Sequence, residues 1–82
     1  MGSPSQSKTL SLEQIEELNR RLSTMRHDIN NNLSLIIAAV ELIRHKPEVA
    51  ERMMATLAEQ PAKISASMKK FSAEFERVLG LV

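Results

Sequence analysis

The side chains of this chain that could do chemistry gather in one stretch, Arg26-His27-Asp28-Ile29-Asn30-Asn31-Asn32-Leu33. It holds an imidazole at position 27, a carboxylate at 28 and a carboxamide at 31. On a helix, His27 and Asn31 stand one turn apart on the same side, with Asp28 an immediate neighbour. An exposed imidazole beside a carboxylate that orients the ring or takes its proton has the form of an activated nucleophile. Three asparagines in a row are poor helix formers. Such a break in an otherwise consistent helical pattern marks function rather than stability.

The elements that position this stretch are legible in its flanks. Ile15, Leu22, Ile29, Ile36 and Ile43 recur every seven residues, with Leu18, Met25 and Ala39 between them. That is a seam facing a partner helix. Asn32 is the one polar residue on it, and seam asparagines commonly fix register. His27 falls on the outer face. Ser11 and Gln14 have the spacing of a capping box, and Leu10 and Ile15 that of a hydrophobic staple, so the helix begins at Ser11. It runs to about His45, roughly 50 Å. Glu16–Arg20 and Glu17–Arg21 are spaced as ion pairs along it.

From Leu33 to Ile43 the helix is apolar nearly all round, more than one partner helix can cover. Lys46-Pro47-Glu48 breaks the pattern, and Pro47 suits the first position of a second helix. That helix runs to about Leu79, with Gly80 as its terminating residue. Its apolar stripe is Ala50, Met54, Leu57, Pro61, Ile64, Met68, Phe71, Phe75 and Val78. Folding the chain at Pro47 sets Ile36 beside Leu57, Ile29 beside Ile64, Met25 beside Met68, Leu22 beside Phe71 and Leu18 beside Phe75. Asn32 falls at the level of Pro61, and its amide or a water is expected to serve the carbonyl of Leu57, which a proline at 61 leaves without a donor. The expected fold is all-α: an antiparallel helical hairpin over residues 11–82 that dimerises into a four-helix bundle. Residues 1–10 read as a disordered tag or linker.

The order His27-Asp28-x-x-Asn31, preceded by Arg26 and followed by Leu33 and Ile36, resembles the phosphoacceptor box of two-component histidine kinases. Those proteins carry it on the first helix of their dimerisation and histidine-phosphotransfer domain. The variant is similar to the groups reading HDxNN or RHDxxNxL, the latter including the sporulation phosphotransferase B type. Many such domains have a proline shortly after the box in helix one, and this chain has none there. The resemblance implies that His27 is the phosphoacceptor, with Nε2 as nucleophile. It makes Asp28 the base or orienting acid and gives Asn31 the positioning of water for dephosphorylation of a partner. It implies a homodimer, an aspartate-bearing response-regulator receiver domain and an ATP-binding kinase domain as partners, and a cytoplasmic, bacterial setting. ATP and magnesium would belong to that separate domain, because this chain has no glycine-rich loop or nucleotide-binding segment. The ending Gly80-Leu81-Val82 fits a fragment continuing into such a domain.

Composition narrows the alternatives. The 82 residues are enough for one small domain, marginally stable alone. With no cysteine there is no disulfide framework and no thiolate metal site. His27 and His45 are about 27 Å apart on one helix, too far to share a metal. The net charge of +1 and the lack of Trp and Tyr argue against nucleic-acid binding. No apolar run reaches membrane-spanning length. The rival readings are a helical-hairpin dimeriser without phosphate chemistry and a module that binds a kinase or receiver by mimicry.

Overall fold

The computed structural model describes residues 9–80. They form an all-helical hairpin: α1 (Leu12–His45), a 3-10 turn over Pro47–Val49, and α2 (Ala50–Leu79). The expectation for the first eight residues and for Leu81 and Val82 lies outside the described residues.

Local chemistry sets each boundary. Ser11 is the N-cap of α1: its hydroxyl accepts from the Gln14 N–H at 3.1 Å, and its own N–H donates to Gln14 Oε1 at 2.8 Å. Two backbone donors that the first turn would leave unpaired are thus satisfied. Lys46 ends the helix by donating its N–H to the Leu42 carbonyl at 2.7 Å. Pro47 then opens the tight turn, where its missing N–H costs nothing. At the far end Gly80 takes a left-handed conformation, φ 70° and ψ 32°, which a side chain would disfavour.

The α1 seam follows the expected residues from Leu18 through Leu22, Met25, Ile29, Asn32, Ile36 and Ala39 to Ile43, all buried or half-buried. Ile15, at the open end, is 50% exposed. The α2 seam is only half as expected. Ala50, Leu57, Ile64, Phe71 and Val78 are half-buried. The residues between them are Met53, Gln60, Ser67 and Glu74, whereas Met54, Pro61, Met68 and Phe75 are exposed. The contact line is therefore turned by one residue at alternate positions.

The physical reason is visible at the middle layer. Asn32 on the seam needs a polar partner, because an unpaired buried amide is costly. Pro61 has no donor to offer, and Gln60 supplies the partner. Asn32 Nδ2 donates to Gln60 Oε1 at 2.9 Å, and Gln60 Nε2 donates to the Thr56 carbonyl at 2.9 Å. Gln60 is 1% exposed, and no buried side-chain nitrogen or oxygen among the described residues lacks a partner. The expected bond from Asn32 to the Leu57 carbonyl is thus corrected: the Asn32 amide is turned to Gln60 instead. Pro61 lies within α2, which continues through it.

Ion pairs hold the end of the hairpin remote from the turn. Glu17 accepts from Arg20 and from Arg21, the latter at 2.7 Å. The expected Glu16–Arg20 pairing is replaced by Glu17–Arg20, since an i,i+3 reach lets one carboxylate bridge two guanidiniums. Across the interface Arg21 lies 3.9 Å from Glu74, which also pairs with Arg77. The Arg20 bond, then that of Arg21, holds the Glu17 carboxyl below the usual range. The Arg77 bond does the same for Glu74.

Two outcomes follow from this packing. Gln60→Leu strands the Asn32 amide and is expected to lower unfolding stability by about 1–3 kcal/mol, with Asn32→Leu/Gln60→Leu recovering much of the loss; urea titration of both variants measures this. Because the Glu17 and Glu74 values are lowered in the folded state, their stabilisation is present above the ordinary glutamate pKa of about 4.3 and fades as pH falls below it. Thermal melts should shift downward over that acidic range in wild type, and less in Glu17→Gln/Glu74→Gln.

Candidate functional site

The middle of α1 presents the candidate residues. The His27 side chain is 78% exposed, on the outer side of the hairpin. Its Nδ1 lies 3.7 Å from Asp28 Oδ1, just beyond hydrogen-bond length but within reach of a charge interaction. With Nδ1 turned to the carboxylate, Nε2 is the ring nitrogen left to face outward. Arg26, Asn30 and Asn31 are exposed as well. No hydrogen bond among the described residues uses the His27 or Asn31 side chain, so both are available to an incoming group. The structure thus brings His27 and Asp28 together and sets Asn31 one turn along, without a direct contact.

The position of each residue follows from seam geometry. With Ile29 and Met25 turned to α2, His27 is two residues from each, about 200° around the helix. It therefore cannot pack inward without moving the whole seam. Asn32 belongs to the interior pair with Gln60, which separates it chemically from its exposed neighbours Asn30 and Asn31.

Asp28 has a second surrounding that the sequence did not reveal. It lines a cleft of about 60 Å³ between the helices, together with Arg21, Met25, Ser67, Lys70 and Phe71 among others. Met25 and Phe71 contribute apolar lining, and Arg21 and Lys70 contribute cations. His27 and Asn31 do not line it. Ser67 and Lys70 were missed because reading α2 with Met68 on the contact line turns them away from α1. The signal that could have found them is the demand of Asn32 for an amide opposite, which only Gln60 meets at that level.

Among the described residues no three His, Cys, Asp or Glu side chains are grouped to hold a metal ion. His45 Nε2 lies 3.5 Å from Glu41 Oε1 in the last turn of α1. No described helix is long and apolar enough to cross a membrane. Searches with the sequence and the fold against protein-family models, curated proteins and solved structures find no match.

Proposed function

We propose that this hairpin is a phosphoacceptor and dimerisation module of the kind found in two-component histidine kinases. The observation that carries the reading is the pairing of an outward His27 imidazole with the Asp28 carboxylate at 3.7 Å on a rigid, capped helix. His27 Nε2 attacks the γ-phosphorus of ATP held by a separate kinase domain. A P–N bond forms, the bond from phosphorus to the ADP oxygen breaks, and Asp28 takes or shares the Nδ1 proton. The phosphoryl group then passes to a carboxylate oxygen of a receiver-domain aspartate, and the P–N bond breaks. Asn31, one turn away, holds water for hydrolysis of the receiver acyl phosphate. The receiver docks on the flank around His27 and the lower part of α2. The module acts as a homodimer. Its ATP and magnesium belong to the kinase domain.

The favoured alternative is a helical dimeriser that binds a kinase or receiver without phosphate chemistry. The extent of exposed apolar surface supports it equally, since that surface requires a partner and not a reaction.

Incubation with a cognate kinase and radiolabelled ATP separates the two. The chain is expected to acquire acid-labile, alkali-stable phosphate, and His27→Ala to lose all of it while keeping its helical circular dichroism. Label that persists in His27→Ala, or no label with any cognate kinase, removes the phosphate reading. Asn31→Ala is expected to slow receiver dephosphorylation by roughly ten-fold or more while labelling of His27 is unchanged. Equal loss of both activities would refute the assignment of Asn31.

A further inference from the structure

We infer that the cleft between α1 and α2 beside Asp28 binds a small free amino acid with an aliphatic side chain, its ammonium held by Asp28 and its carboxylate by Lys70. The binding stands apart from phosphate chemistry; its consequence for His27 rests on the proposed function.

The cleft arises from helical spacing. Arg21, Met25 and Asp28 occupy successive turns on one side of α1, and Ser67, Phe71 and Glu74 do so on α2. Because the two helices run antiparallel, Arg21 meets Glu74 at 3.9 Å at one end, and Asp28 and Ser67 lie toward the other. Met25 and Phe71 between them are half-buried, whereas Asp28 and Lys70 are exposed. The cleft therefore offers apolar surface next to two charges that water can reach.

The charged residues that line this space are not equivalent. Arg21 is taken up by Glu17 at 2.7 Å, and Glu74 by Arg77. Lys70 enters no ion pair among the described residues. Asp28 has only the neighbouring His27 ring, at 3.7 Å, and an imidazole is a counter-charge only when protonated. One cation and one anion thus line the same cleft, too far apart to pair directly.

The occupant that answers both is a zwitterion. An α-amino acid carries its ammonium and carboxylate on one carbon. It can bridge two separated charges through charge-assisted hydrogen bonds, which are stronger than neutral ones. Its side chain then meets Met25 and Phe71 and leaves water. The volume of about 60 Å³ holds about five waters, which suits a short aliphatic side chain and is too little for an indole. A residue within a peptide has neither charge at its α-carbon, so the cleft selects the free molecule over a chain segment. An ammonium on Asp28 competes with the His27 ring for the same carboxylate. Occupancy of the cleft is therefore a brake on phosphoryl transfer to His27.

NMR titration of the intact, isotope-labelled chain with L-valine tests this. Saturation is expected with a dissociation constant on the order of 1 mM, the range open to a molecule of about eight non-hydrogen atoms in an open cleft. The shift changes should centre on Met25, Asp28, Lys70 and Phe71. Isovalerate and isobutylamine, each valine with one charge removed, should bind more weakly by roughly ten-fold or more, as should valine to Lys70→Met and to Asp28→Asn. Lys63→Met, a cation lost outside the cleft, should leave the affinity unchanged. Shifts that never saturate, equal binding of isovalerate, isobutylamine or N-acetylvalinamide, or unaltered affinity in both Lys70→Met and Asp28→Asn would each overturn the site. With a cognate kinase, saturating valine should slow labelling of His27 several-fold; labelling indifferent to valine would overturn the brake. Saturable valine binding by a chain that no kinase labels would remove the proposed function and leave the site in place.

Discussion

Two helices side by side share a single contact line, and that limit governs everything else in this molecule. A helix with an apolar stripe wider than its neighbour can cover must find further cover or remain exposed. Here the line is drawn through Asn32 and Gln60, whose amides bond at 2.9 Å. An amide pair in an otherwise apolar seam contributes little net stability, but a shift of register would leave both groups buried without partners. The pair therefore selects which residues of α2 face α1. It draws Gln60 inward, and with it the whole row of Met53, Ser67 and Glu74. The apolar row of Met54, Met68 and Phe75 is turned outward as a result.

That same choice determines what the outer face can offer. Because Met25 and Ile29 are committed to the interior, His27 has no alternative to solvent, and Asp28 is placed at the edge of the interhelical cleft. The imidazole gains position from the rigidity of a 34-residue helix capped at both ends. Asp28 serves as the link between the two surfaces: its carboxylate stands 3.7 Å from the His27 ring, and the residue also lines the interhelical cleft with Arg21 and Lys70.

The hairpin, its turn and both caps were legible in the sequence because each rests on local chemistry. The capping box needs only Ser11 and Gln14, the turn needs Pro47, and the terminus needs Gly80. The α1 seam was equally plain, since its isoleucine period is strict. The contact line of α2 was not. Hydrophobicity reports all the surfaces a helix must bury, without saying which neighbour covers which. Pro61 and Met68 looked like seam residues on that basis, and Gln60 lay outside the expected stripe. Only the pairing of amides across the interface distinguishes them. For the candidate site, His27, Asp28 and Asn31 could be placed outside from the period alone, whereas the cleft beside Asp28 depends on α2 and was hidden with it.

The hairpin is also fastened differently at its two extremities. Toward the turn, aliphatic side chains such as Ile36, Ile43 and Leu57 meet; toward the termini, Glu17, Arg21, Glu74 and Arg77 form a web of charge. Sulfate-type salts reinforce the first kind of adhesion and screen the second. Rising ionic strength therefore grips the molecule at one extremity as it slackens the other. The imidazole of His27 sits along the rod between these two fastenings, where their opposing responses meet.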